Sequence, residues 1–347
     1  MARLSVIASG MVTGLGFNAP ASLAALRAGI SAVDKTHIVD RESGERVNGA
    51  KVDLPHWWEG VGKLADLVGP AIQECLVAAE PEPSDRIPWL IGVAGTDRPG
   101  RPEGLEQELF EELGIRFGRK LHAESRVLPM DQVGCAFALE LASGLIDDGK
   151  ARRVVIAGVD SFLYQPMVDA YVEKRRVMTP GNSNGFFPGE AGTAVLVGAA
   201  ETHEGDELTI LGSGFAREAA LIDSTDAFAG HGMTAAVKQA IGKAGIALTD
   251  VAYRLTDISG EHYKFKEALF AAGRLSSGDR DDVLDLWHPI EYLGEIGAAI
   301  LPCLLAQAMH AAQEGYAPGP LALCHVGSDS GERAAIVVTL RRRPGGR

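Results

Sequence analysis

Cys135 follows Gly134 where a polar stretch, Asp131-Gln132-Val133, gives way to the apolar run Ala136-Phe137-Ala138-Leu139-Glu140-Leu141-Ala142. That run has helical spacing and leads to the strand candidate Val154-Val155-Ile156-Ala157-Gly158-Val159-Asp160, so Cys135 is expected in a turn at a helix head. A thiol there meets the positive end of the helix dipole, which favours thiolate. It also meets unpaired N–H groups that can receive an oxyanion when sulfur attacks a thioester carbonyl. The competing reading is a buried small hydrophobe, the usual fate of a free cysteine.

The elements that must position this residue alternate along the chain. Strands are expected at residues 4–7, 89–93, 154–159, 192–197, 208–211, 253–257, 321–325 and 334–340. Helices are expected at 20–27, 64–79, 105–113, 135–148, 233–244, 264–272 and 297–312. The alternation predicts an α/β fold. Each half has a long amphipathic helix followed by a strand, and each ends in an apolar strand behind a Gly-rich loop, at 181–192 and 327–331. The polar segment Glu201-Thr202-His203-Glu204-Gly205-Asp206 divides them, giving halves 1–203 and 204–347.

Composition bounds the class. The 347 residues are 46% hydrophobic, enough for a substantial core, and the net charge of −13 argues against nucleic acid or an anionic membrane as partner. Local basic clusters, Lys174-Arg175-Arg176 and Arg119-Lys120, stand against this background. Cys75, Cys135, Cys303 and Cys324 are scattered without a CxxC pair, which predicts reduced thiols in the cytoplasm. The N-terminus reads as a first strand rather than a signal peptide. The longest apolar helix candidate, 298–309, contains Pro302 and falls short of the roughly 20 residues of a membrane span. No metal-ligand or nucleotide fingerprint is evident, and no bound cofactor is expected.

Several segments together resemble the β-ketoacyl synthases of the thiolase superfamily, almost end to end. Ser9-Gly10-Met11-Val12-Thr13-Gly14-Leu15-Gly16 is similar to that family's first strand and turn, and Gly134-Cys135-Ala136 to its nucleophile turn. Asn184-Gly185-Phe186-Phe187-Pro188-Gly189-Glu190-Ala191-Gly192 resembles its Asp-Gly-Phe, Gly-Glu-Gly loop, in which Glu190 would be structural. The resemblance implies a thiolase-like fold of two similar βα halves in five αβαβα layers, with Cys135 as nucleophile. It also implies an oxyanion hole from the backbone N–H groups of Cys135 and Asp329.

At the family's two catalytic histidines the chain departs. Counting from Tyr253 puts Asp257 at the first, and Leu293-Gly294-Glu295-Ile296-Gly297 puts Glu295 at the second; Asp329 replaces the phenylalanine of the oxyanion loop. Enolate charge is stabilised by histidine N–H groups and opposed by carboxylates. One misplaced charge at about 4 Å costs on the order of 4 kcal/mol at an effective dielectric near 20, about a thousandfold in rate. Decarboxylative condensation is thereby disfavoured. A carboxylate base serving an acyl group held on Cys135 fits better, and His262, His288 and His325 are the candidate stand-ins for the lost histidines.

The expectation is therefore a ketosynthase-like acyltransferase using Cys135, Asp257 and Glu295 on acyl-carrier-protein or CoA thioesters, working as a homodimer. The alternative is a non-catalytic ketosynthase-like subunit, an acyl-binding scaffold or the heterodimer partner of an active ketosynthase. Thioester hydrolysis is a third reading.

Overall fold

The computed structural model describes residues 3–342 except 57, 203–204 and 276–284. The first half contains β1 (Leu4–Thr13), α1 (Ala19–Arg27), β2 (Val33–Val39), β3 (Arg46–Ala50), α2 (Val61–Ala78), β4 (Trp89–Val93), α3 (Leu105–Phe117) and β5 (Arg126–Pro129). It continues through α4 (Gly134–Asp147), β6 (Arg153–Ser161), α5 (Gln165–Glu173) and β7 (Glu190–Ala199). The second half contains β8 (Glu207–Arg217), α6 (His231–Ala244), β9 (Tyr253–Thr256), α7 (His262–Leu275) and β10 (Asp285–Trp287). Then follow α8 (Ile290–Leu293), α9 (Ile300–Gln313), β11 (Leu321–Gly327) and β12 (Glu332–Arg341).

The halves repeat one topology. Strand order is β5-β4-β6-β7-β1 in the first and β10-β9-β11-β12-β8 in the second. In each, the three outer strands run parallel and the last two pairings are antiparallel. They join edge to edge only through Ser5 opposite Thr209 and Val6 opposite Leu208. The linking segment runs between Ala199 and Glu207, and the boundary expected at 203/204 lies outside the described residues.

Five layers follow from which faces are apolar. In β6, Val155, Ala157 and Val159 point to an outer core with Leu67, Val68 and Ile72 of α2 and Leu109 of α3. Val154 and Ile156 point the other way, to a central core filled by Leu139 of α4 and Leu301, Leu304 and Leu305 of α9. A strand apolar on both faces must be covered on both, which is why the run is continuous rather than alternating. Leu255 and Ile336 of the second half close the central core. Met233, Ala236 and Val237 of α6 cover that half's far face against Leu323, Ala335 and Val337.

Some elements depart from expectation. The first strand continues beyond residue 7 to Thr13, because Gly10 lets the Ala71 carbonyl of α2 come within 2.0 Å of where a Cβ would sit. The β2–β3 hairpin, α5, α8 and the short edge strands β5 and β10 were not expected; β5 is four residues ending in Pro129, too brief for periodicity. The helix expected over 297–312 begins as a 3-10 turn, Gly297–Ala299, before α9. No helix among the described residues is long and apolar enough to cross a membrane.

Candidate functional site

The repeat fixes how the site is built. A 3-10 turn, Asp131–Val133, runs into the 14-residue α4, as Gly297–Ala299 runs into the 14-residue α9, and the two turns pack against each other. Asp131 and Gly297 correspond, and both have positive φ, 51° and 49°. By the same register Gln132 matches Ala298, and Cys135 matches Leu301.

The same register fixes the depth of Cys135, the second residue of α4. The 3-10 turn moves the helix head back to Asp131, and the Gly134 N–H already bonds the Asp131 carbonyl, so Cys135 lies a turn inside. Its side chain is 1% exposed, and the sulfur donates to the carbonyls of Ala157 (3.3 Å) and Ala298 (3.5 Å). Burial pushes the thiol up to about 12, outweighing the Gly92 N–H that would lower it. Burial at this depth opposes the thiolate that a helix head would favour. The backbone N–H expected there for an oxyanion hole lies within the same buried helical turn.

Gln132 occupies the head instead. Its side chain donates through Nε2 to Oε1 of Glu295 at 3.3 Å, and the Gly297 N–H reaches the same oxygen at 2.9 Å. Glu295 is buried and held by the 181–192 loop: its N–H bonds the Phe187 carbonyl (2.7 Å) and its carbonyl accepts from Gly189 (3.1 Å). Burial raises its carboxyl to about 7 and Asp257 adds to the rise, while Lys264 opposes it. Glu190 of that loop is fully buried, accepting from Val52 N (3.0 Å) and Ser161 Oγ (2.7 Å) and pairing with Lys63 at 2.7 Å.

Asp257, at the end of β9, is buried with Lys264 of α7. Lys264 Nζ donates to its Oδ2 at 2.6 Å and to the Gly327 carbonyl at 3.2 Å, while the Gly327 N–H bonds the same Oδ2 at 3.0 Å. The Lys264 ammonium is held charged: burial works against it, but Asp257, Glu295 and Asp329 outweigh burial. Asp257 and Glu295 thus act on one another electrostatically, and both act on Lys264, a residue that was not foreseen.

Asp329 is tied back as well. Arg176 grips it through Nη1 (2.6 Å) and Nη2 (3.1 Å) and grips Glu261 through Nε (2.7 Å) and Nη2 (3.1 Å). Burial would raise the Asp329 carboxyl, but Arg176 draws it down to about 2. Arg176, expected in a surface basic cluster, is buried. On the other side, Arg98 bonds Asp131 through Nε at 2.9 Å and pairs with Asp160 at 2.8 Å, and the Gly95 N–H adds a bond to Asp131 at 2.7 Å. Those contacts hold Asp131 in its positive-φ conformation.

Of the three histidines, His262 and His288 make their contacts elsewhere, while His325 lies beside Thr256 and feels Asp257 and Lys264. His262 is exposed at the start of α7, its N–H on Asn184 Oδ1 (2.8 Å); His288 sits 4.0 Å from Glu291. His325 is buried, its Nδ1 3.3 Å from Thr256 Oγ1, and burial with Arg254 lowers it to about 3, so it is neutral. Sequence reasoning missed Gln132, Lys264, Arg98 and Asp160. Matching the two helix heads, Asp131-Gln132-Val133 against Gly297-Ala298-Ala299, is the signal that finds Gln132. No group of side chains able to hold a metal occurs among the described residues.

Neither a family model nor a curated protein sequence matches this chain. Solved structures do. A type II PKS acyl-carrier protein in complex with its ketosynthase matches at TM-score 0.78 and 15% identity, over 97% of this chain and 99% of that one. A ketosynthase in complex with its chain length factor, from Xenorhabdus doucetiae, matches at 0.73 and 14% over 98% of each chain. A β-ketoacyl synthase from Burkholderia phymatum matches at 0.72 and 16%, over 99% of this chain and 100% of that one. The fold is that of the ketosynthases, thiolase-like throughout.

Proposed function

We propose that the chain is a non-catalytic ketosynthase-like subunit, the partner of an active ketosynthase in polyketide- or fatty-acid-type chain assembly. One observation carries this reading: Gln132 stands in the 3-10 turn that leads into α4 with its amide on Glu295, while the nearby thiol, Cys135, lies a turn further along and donates to two carbonyls. An amide has no nucleophile to offer an acyl thioester, and a thiol pushed up by burial holds little thiolate near neutral pH.

The groups at the two histidine positions are also engaged. Asp257 is paired with Lys264 and Glu295 with Gln132, so neither is a free base for an attacking water, amine or alcohol. Asp257 and Lys264 neutralise each other within the second half, and Gln132 with Glu295 bridges the two halves. Structural neighbours that work as a ketosynthase with its chain length factor support a heterodimeric role, and the neighbour bound to an acyl-carrier protein supports a carrier as the assembly's substrate donor.

Intact-mass analysis after incubation with acyl-CoA and acyl-carrier thioesters tests the first half of this reading. No acyl adduct is expected on the chain, and an adduct lost in Cys135→Ala would restore the acyltransferase reading. Native mass spectrometry after co-expression with ketosynthases encoded in the same genome tests the second; a chain that remains a homodimer with all of them overturns the partner role.

A further inference from the structure

A second concavity lies far from this site and does not depend on the reading above. It encloses about 520 Å³ where β4 and β6 begin, lined by Arg86, His122, Lys150, Arg152, Arg153 and Glu82 among others. The functional site is at the other end of β6, beside Asp160. Eight residue steps of strand separate Arg153 from Ser161, roughly 25 Å.

Its charge is the reverse of the molecule's. Four arginine or lysine side chains and one histidine face a single carboxylate, on a chain of net charge −13. That carboxylate, Glu82, is taken by Arg153 Nε at 3.7 Å. Lys150 pairs only with Asp148, both about half exposed or more, where an ion pair contributes little. His122 Nδ1 accepts from the Glu124 N–H at 3.1 Å. The guanidinium groups of Arg86 and Arg152 have no hydrogen-bond or ion-pair partner among the described residues.

Cations near helix C-termini can simply offset the dipole, and Arg153 does so through its bond to the Ala79 carbonyl at the end of α2 (2.8 Å). Arg86 and Arg152 make no such bond. A concavity of this size suits a small molecule, and guanidinium groups lining one concavity suit phosphate oxygens.

We propose that this groove binds a small phosphate-bearing anion with two or more phosphoryl groups, held chiefly by Arg86 and Arg152. Isothermal titration of the full-length chain with inorganic pyrophosphate, and separately with ADP, tests it at about 50 mM and 200 mM salt. One saturable site per chain is expected, weakening several-fold or more with salt and at least about tenfold in Arg86→Glu/Arg152→Glu. Pyrophosphate and ADP binding alike assigns recognition to the phosphates; ADP binding alone extends the site to a nucleoside. Absence of saturable binding by either, undiminished binding in the double variant, or an equal loss in the distant control Lys174→Glu overturns the proposal. Both residues are exposed, and unchanged melting temperatures of the variants separate a lost site from a lost fold.

Discussion

The Gln132 amide lies 3.3 Å from Glu295 Oε1, joining the head of α4 to the entry of α9 across the two halves of the chain. The same oxygen takes the Gly297 N–H, so it works purely as an acceptor and tolerates either protonation state of the carboxyl. On the function proposed above, this bond occupies the place where a nucleophile would have to stand.

Restoring a thiol at that place should show the difference between the head and the interior of α4. Gln132→Cys is expected to react with iodoacetamide at least about a hundredfold faster than Cys135 does in the wild type. Peptide mapping checks it: modification of Cys135 at a rate equal to the new cysteine would mean the two positions are not distinguished as described.

Lys264 neutralises a buried Asp257 and also acts on Glu295. Lys264→Met leaves a carboxylate without its counter-ion, a change that costs about 3–5 kcal/mol by denaturant unfolding. Asp257→Asn/Lys264→Met, which removes both charges, should recover most of that loss. A double variant no better than the single would show that Lys264 acts through packing rather than charge.

Glu295 makes stability depend on pH. Its carboxyl is raised from 4.5 to about 7 in the folded chain, so its contribution is complete below pH 4.5 and is lost as pH rises through 7. His325, held down at about 3, works the other way: its contribution is complete above 6.5 and is lost on acidification. The difference between Glu295→Gln and wild type isolates the first. The variant should be more stable at pH 8 by on the order of 3 kcal/mol, with the advantage gone near pH 4.5. An advantage constant across this range would contradict the raised carboxyl.

Gly297 and Gly242 should respond oppositely to alanine. At Gly297, φ is 49° and a Cβ would lie 2.0 Å from Asp160 Oδ2, so Gly297→Ala is expected to cost at least about 3 kcal/mol. At Gly242, inside α6, nothing lies within 4 Å of a Cβ, and Gly242→Ala should stabilise by about 0.5–1 kcal/mol. Thermal unfolding of the two variants checks both signs.

The sequence carried the fold well where apolar spacing was long. Trp89–Val93 was bounded correctly, and α4, α6 and both C-terminal strands came within a few residues of their ends. Turns and glycines bracket Asp257 and Glu295, which is what let the sequence assign them a register. The burial of Cys135 was not legible, since the whole turn from Asp131 to Cys135 is buried and its polar residues read locally as a solvated lead-in. Lys264 was hidden for a related reason: a lysine in an amphipathic helix reads as solvated until its neighbours across the fold are known. Arg176 was misread for the same cause, with Lys174 and Arg175 beside it suggesting a surface.

Cys75, Cys135, Cys303 and Cys324 are all free and all buried, in elements of both halves. The native molecule should therefore be silent to thiol reagents and yield four equivalents once open. Unmodified chemistry thus supplies a clock: the rate at which each thiol becomes labelled reports how often its own layer comes apart, with no probe added to the chain.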